Sequence, residues 1–356
     1  MIAAGGTAGH VVPAIAVADA LRAEGAEVSF VGGERAEAEL VPAAGYPLDP
    51  IVVEGISRSN PVKAVRALLK AAGALGTARR ILRERRPDAV LGGGGYVAGP
   101  VGLMAALQRT PLVLAEADSH LGLTNRALAA RAHRVCLAFP LEGRDGPRYR
   151  VTGRAVPPRT ADRASARAEL GFTPEETVVL VFGGSLGARS INLTAVEALA
   201  GAPYRVLHVA GKRDYEQLTA PDSKYVLRDY LTPFGTALAA ADVAVARAGG
   251  SVFELAQYGL PAVLIPYPYA SADHQTTNAR WMASAGAAVT IRDAELTPER
   301  LRHEVDAIAL DSARRATMAA ASRRLAKPDA ARDIAAEVLQ AGAGYRAGRS
   351  AEAPRP

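Results

Sequence analysis

Cysteine occurs once, at Cys136, so a chain of 356 residues cannot close an internal disulfide. No apolar run approaches the roughly 18 to 20 residues that a signal anchor or membrane span needs, and the cytoplasm is the expected compartment. Aromatic residues make up only 5% of the chain, and no RRM, zinc-finger or helix-turn-helix pattern is present. Of the anionic partners that a net charge of +6 invites, nucleic acid is therefore the least suited, leaving phosphorylated metabolites and an anionic membrane surface. Two nucleotide fingerprints are also missing. The opening "GGTAGH" has neither the spacing nor the third glycine of GxGxxG, and no GK[ST] follows it.

What is present reads as a folded α/β protein. Apolar residues reach 49% and charged residues 22%, and the length calls for two domains and a cleft between them. Short β-branched runs alternate with alanine-rich helical stretches, the pattern of doubly wound parallel sheets. Strands are predicted at 2–4, 28–31, 50–53, 89–91, 112–115, 134–137 and 149–152 in the first half. In the second half they fall at 177–182, 205–209, 224–226, 243–246, 262–265 and 288–291. The first strand, just ahead of Gly5, is expected to be unusually short. A proline-rich linker, "GRAVPPRTADR", runs from Gly153 to Arg163. After Pro328 a last helix is expected to begin near Asp329 and end at Gly342, with 343–356 as a disordered tail.

Three glycine-rich turns, each between a predicted strand and helix, carry the candidate chemistry. In the first, Gly5 and Gly6 let a ligand approach the backbone, and the following helix offers N–H groups to an anion. His10 enters on that helix's first turn. Its imidazole can serve as a general base for a hydroxyl, or simply cap or pack. The second turn, "LGGGGYVAGP", holds four consecutive glycines, which suit a phosphate cradle or a tight turn. The third begins "RAGGSVFE": Ser251 opens a helix, and Glu254, one turn on, can accept two vicinal hydroxyls. Further along, "DHQ" at Asp273–Gln275 opens another helix with groups that can bond a sugar or cap the helix. "VFGGSLGARSIN", at 181–192, restates the opening arrangement and suggests two facing sites.

Taken together, "GGTAGH", "LVPAAGYPL", "DAVLGGGGYVAGP", "LGLTNRALA", "FGGSLGARSIN" and "RAGGSVFELAQYGLPAVLIPYP" with "HQTTNA" resemble, in order and over almost the whole chain, the MurG family of N-acetylglucosamine transferases. The resemblance implies the GT-B fold, two Rossmann-like doubly wound domains facing a cleft. Residues 1–153, rejoined by the helix 328–342, would take the acceptor and the membrane, and residues 154–327 the donor. It implies an inverting transfer of GlcNAc from UDP-GlcNAc to the C4 hydroxyl of MurNAc in the undecaprenyl-linked acceptor, lipid I, with no obligatory metal or other cofactor. On the donor side, Ser185, Gly250, Ser251 and Val252 would meet the diphosphate, the Leu231 backbone the uracil, Glu254 the ribose, and His274 and Gln275 the sugar. On the acceptor side, Gly5, Gly6, Gly93, Gly94, Gly95 and Tyr96 would surround the diphosphate. Thr7, Ala8, Gly9 and Asp118 would bind substrate, with His10 as base and Glu116 as a second catalytic candidate.

The chain departs from the family pattern at several points. Ala8 replaces a glycine. "AEAD" at 115–118 stands where the family has H-E-Q-N, so Asp118 keeps an acceptor but loses donors. "GRAVPPR" replaces GNPVR, leaving Arg159 or Arg154 as the diphosphate arginine. "RAGGSVFE" is one residue short.

The stretch 60–86 has eight basic residues and one acidic. Val65, Leu68 and Leu69 share a helical face beside Lys63, Arg66 and Lys70, which suits an interfacial helix on anionic lipid or a helix covering the sheet. Rival readings are a related GT-B transferase with another lipid or secondary-metabolite acceptor, a UDP-GlcNAc 2-epimerase, or a nucleotide-sugar binding subunit of a membrane complex.

Overall fold

The computed structural model describes residues 1–53, 61–184, 187–270 and 273–352, without the side chains of 61–72 and 348–352, and each of the thirteen predicted strands is found in it. The chain divides into unit 1, Met1–Pro157 with Lys327–Pro356, and unit 2, Pro158–Ala326.

In unit 1 the strands are β1 (Ile2–Ala3), β2 (Phe30–Gly32), β3 (Leu48–Pro50), β4 (Val90–Gly92), β5 (Leu112–Glu116), β6 (Arg134–Leu137) and β7 (Tyr149–Val151). They form one parallel sheet in the order β3-β2-β1-β4-β5-β6-β7. Helices α1 (Ala8–Ala23), α2 (Ala36–Ala43), α3 (Pro61–Arg85), α4 (Ala98–Leu107) and α5 (Leu123–Leu128) connect them. The short β1 lies inside the sheet, pairing Ile2 with Phe30 on one side and Leu91 on the other. Because both faces of such a sheet are covered, its strands read as uninterrupted apolar runs. Leu91, Val113 and Cys136 pack into one layer, and Val90, Leu112 and Leu114 into the other.

Two strands are displaced from their predicted positions. The Ile51–Val53 run resembles a strand, but pairing ends at Pro50, and Val52 is 65% exposed. Ladder position, set by Leu48 opposite Phe30, overrides β-propensity there. For the same reason β2 begins two residues later than its apolar pattern suggests.

Unit 2 opens with α6 (Arg163–Leu170), capped by the Asp162 carboxylate, which accepts the Ser165 N–H at 3.0 Å. Next come β8 (Val178–Phe182), α7 (Arg189–Ala198), β9 (Arg205–Val209), β10 (Tyr225–Arg228), α8 (Phe234–Ala240), β11 (Val243–Ala246) and α9 (Ser251–Tyr258). They are followed by β12 (Ala262–Leu264), α10 (His274–Ser284), β13 (Ala288–Thr290), α11 (Pro298–Ala309) and α12 (Ser312–Leu325). Its sheet is also wholly parallel, in the order β10-β9-β8-β11-β12-β13. A buried histidine sits inside this sheet: His208 meets the Tyr225 hydroxyl at 2.8 Å and Asn192 Oδ1 at 3.0 Å. Burial lowers its pKa to about 4, so the ring is neutral at physiological pH.

The chain then returns to unit 1 through α13 (Ala330–Glu352), where Ile334, Ala335, Val338 and Ala341 join the core beside α1. Glu337, buried, accepts from Arg134 at 2.6 Å and from Arg150 at 2.7 Å. The expected stop at Gly342 is corrected, and with it the expected disorder of 343–352: the helix runs through Gly342 to Glu352, while 353–356 lie outside the described residues. A Cβ at Gly342 would lie 3.3 Å from that of Asp88, so this glycine serves close packing inside the helix. Among the described residues, no helix is long and apolar enough to cross a membrane.

Candidate active site

In both sheets the strand order reverses beside the first strand, between β1 and β4 in unit 1 and between β8 and β11 in unit 2. Loops leaving the carboxyl ends of such a strand pair diverge to opposite faces, and the crevice between them is where doubly wound folds bind ligands. Each unit places two glycine-rich turns at this point: Gly5–Gly6 and Gly93–Gly95 in unit 1, Gly183–Gly187 and Gly249–Ser251 in unit 2. Of the second pair, Ser185 lies outside the described residues.

In unit 1 the two turns pack directly on each other. Gly95 has φ +77°, and a Cβ there would collide with the Gly5 carbonyl oxygen. One at Gly94 would stand 2.7 Å from Cδ2 of His10. The glycine run thus seats both the first turn and the imidazole, which packing explains without a phosphate. His10 is half-buried, with Nδ1 3.4 Å from the Thr7 hydroxyl. Burial and then the charge of Arg154 push its pKa below the ordinary imidazole value, against the opposing pull of Asp118 and Glu37. The ring is consequently neutral near pH 7 and able to take a proton.

Glu37, absent from the predicted site, organises this corner. It is fully buried in the first turn of α2, where Oε2 accepts the Gly6 N–H at 2.8 Å. Oε1 accepts the Gly33 N–H and the Tyr96 hydroxyl, each at 2.9 Å. Burial works to raise its pKa, but these hydrogen bonds outweigh it and hold the carboxyl below the usual range. The Tyr96 hydroxyl, half-buried and bonded to that carboxylate, is pushed up to about 12. Two groups expected around an acceptor diphosphate, the Gly6 N–H and the Tyr96 hydroxyl, are therefore engaged by a carboxylate of the chain itself. A buried anion needs donors, and these lie within reach. The one hint in the sequence is that Glu37 follows closely on the Gly32–Gly33 pair.

Glu116 ends β5 and is likewise occupied. It accepts the Asp118 N–H at 3.1 Å, the Gly122 N–H at 2.8 Å and the Asn125 amide at 2.9 Å. Burial raises its pKa in spite of these bonds. Its geometry is that of a residue that shapes the 117–122 loop and so places Asp118 near His10. Arg154 also stands at this turn, donating to the Gly9 carbonyl. Arg159 belongs to unit 2, its guanidinium 4.9 Å from the Tyr258 ring centre. The linker's prolines carry the chain out of unit 1 between the two arginines, so of the two candidates only Arg154 belongs to the unit that holds this turn. Thr7, Ala8 and Gly9 form the N-cap and first turn of α1. Lys63, Val65, Arg66, Leu68, Leu69 and Lys70 fall within α3, but their side chains lie outside the described residues.

In unit 2 the Gly249–Ser251 turn is braced from three directions. Asn278 donates to the Ala248 carbonyl at 3.0 Å. Gln275 accepts the Tyr267 N–H at 2.9 Å, with its amide nitrogen beside Gly249. Arg247, another residue the sequence does not single out, donates to the carbonyls of Ile265 and Pro266, to Asp293 and to Ser190. It thereby ties β11, β12 and α7 together under the turn. Ser251 and Glu254 occupy the first turn of α9, and His274 and Gln275 that of α10, from which the Gln275 amide reaches the Gly249 turn. Val252, by contrast, has a fully buried side chain, and its N–H donates to the Gly249 carbonyl. Leu231 lies in the segment between β10 and α8.

The two Rossmann-type sheets, each with paired glycine turns at its switch point, coincide with the two domains of a glycosyltransferase family. Residues 1–137 match the N-terminal domain of glycosyltransferase family 28, and residues 178–334 its C-terminal domain. Over 363 residues the chain is 41% identical to the UDP-N-acetylglucosamine–N-acetylmuramyl-(pentapeptide) pyrophosphoryl-undecaprenol N-acetylglucosamine transferase of Moorella thermoacetica, covering 96% of this chain and 98% of that one. It is also 41% identical over 350 residues to the transferase of the same name from Methylococcus capsulatus, again covering 96% and 98%. The crystal structure of Acinetobacter baumannii MurG superposes with a TM-score of 0.75 at 30% identity, covering 96% of this chain and 98% of that one. The chain belongs to the MurG family of N-acetylglucosamine transferases.

Proposed function

We propose that this protein transfers GlcNAc from UDP-GlcNAc to lipid I, giving lipid II for peptidoglycan synthesis. The observation that carries the reading is the pair of switch-point sites, one per unit, in a chain similar along nearly its full length to transferases named for this reaction. His10, neutral and mounted on a rigid helix, takes the proton of the MurNAc C4 hydroxyl as its oxygen attacks the anomeric carbon. The bond to UDP breaks with its electron pair, configuration inverts, and a β1→4 link results. Charge on the departing diphosphate is met by backbone N–H groups and the positive ends of α7 and α9, so no metal or other cofactor is obligatory in this scheme. Incubation with UDP-GlcNAc and a lipid I analogue tests the reading. The lipid-linked disaccharide is the expected product, and its absence from active-folded protein overturns the assignment.

Glu254 is assigned to the ribose hydroxyls. Glu254→Ala is expected to weaken UDP-GlcNAc binding by about 1–3 kcal/mol, the cost of orphaning a hydrogen-bonded hydroxyl pair. Titration calorimetry reads this directly, and unchanged affinity would place the ribose elsewhere.

The basic stretch of α3 is assigned to the anionic inner leaflet, in keeping with a lipid-linked acceptor and peripheral attachment. Reversing Lys63, Arg66 and Lys70 to Glu is expected to cut co-sedimentation with anionic vesicles at least tenfold, since each such charge contributes about 1 kcal/mol near a charged surface. Equal partitioning of parent and variant would return α3 to the role of a covering helix.

A further inference from the structure

Unit 2 holds a second hollow at the end of its sheet opposite the glycine turns. It opens at Asp242, just before β11, whereas the Gly249–Ser251 turn follows β11; the four-residue strand sets them roughly 13 Å apart. Its volume of about 440 Å³ falls within the range of metabolite sites. One wall is a single face of α12, on which Ser312, Arg315, Ala319 and Arg323 recur at helical spacing. Arg159 and Arg163 form the other side, and Leu260 with Ala316 and Ala319 supplies apolar surface.

The charge in this hollow is unbalanced. Its one carboxylate, Asp242, is already occupied: Oδ1 accepts from Arg163 at 2.6 Å, and Oδ2 accepts from the buried Arg167 at 2.7 Å and from the Val178 N–H at 2.8 Å. Arg159, Arg315 and Arg323 have no carboxylate within ion-pair distance among the described residues. The nearby helix caps Asp162 and Asp311 accept from their own helix N–H groups, at Ser165 and Arg314. The fold also steadies the arginines. Arg159 stacks on Tyr258, Arg315 donates to the Ala309 carbonyl, and the Arg323 stem packs against Gly259.

We propose that this hollow binds a phosphate-bearing small molecule. The guanidinium groups would fork its phosphate oxygens, the Ser312 hydroxyl would add a further hydrogen bond, and the alanine and leucine surface would cover its organic body. The site is separate from the donor turns and independent of the transferase assignment.

Calorimetric titration of the full chain with inorganic pyrophosphate, with and without saturating UDP, tests the proposal. Saturable binding that persists in UDP is expected. Arg323→Ala should weaken it at least fivefold. Ala316→Glu, which sets a carboxylate on the exposed face of α12 without deleting an arginine, should weaken it at least tenfold, both with unchanged melting temperatures. Binding that vanishes when UDP is present, no saturable binding at all, or parent-like affinity in Ala316→Glu would each overturn the site. Should Arg323→Ala fail to fold, Ala316→Glu decides alone.

Discussion

His10→Ala is expected to lower turnover with a lipid I analogue by about 10²–10⁴-fold while leaving UDP-GlcNAc affinity unchanged, the usual effect of deleting a general base. The split arises because His10 belongs to unit 1, whereas the groups assigned to the donor belong to unit 2. A pH profile adds a second readout. Burial and Arg154 place the imidazole pKa below its ordinary value of about 6.5. Protonation abolishes the base, so kcat should fall only on the acid side of that value and be flat across neutral pH. Full turnover in the variant, or an acid limb centred above pH 7, would remove His10 from the reaction.

Glu37→Gln should damage the same corner without touching substrate. The amide can keep its oxygen toward Gly33 and Tyr96, but its NH₂ then confronts the Gly6 N–H, donor against donor. Orphaning that buried group costs about 1–3 kcal/mol, visible as a lower urea midpoint. A purely structural defect would stop there. Glu37 also supports the protonated form of His10 through its charge, so neutralising it should move the acid limb of the pH–rate profile to lower pH as well. A destabilised variant with an unmoved limb would confine Glu37 to folding.

How much of this was legible in the sequence follows from the range of the interactions involved. All thirteen strands could be read because parallel strands covered on both faces leave unbroken apolar runs, and glycine turns mark their ends. The convergence of "GGTAGH" with "GGGG", and of "GGSLG" with "RAGGS", needed only the doubly wound order. What escaped was decided by partners distant in the chain. Glu37 looks like any acidic residue on a helix until Gly6 and Tyr96, 31 and 59 positions away, are seen to donate to it. Arg247 looks like a surface charge until Ser190 and Asp293 close around it. Gly342 has the composition of a helix stop, yet the neighbour that requires it is Asp88. Arg154 and Arg159 lie five residues apart in one linker, and only the path of the backbone tells which belongs to the unit that holds His10.

The return of α13 sets an order on biosynthesis. Unit 2 is one uninterrupted stretch of chain and can close as soon as it leaves the ribosome, but unit 1 emerges first and lacks Ile334, Ala335, Val338 and Ala341 from its core until the last helix is made. The half that emerges earlier is thus the later to finish, and the face of α1 that α13 covers lacks that cover throughout synthesis of the other half.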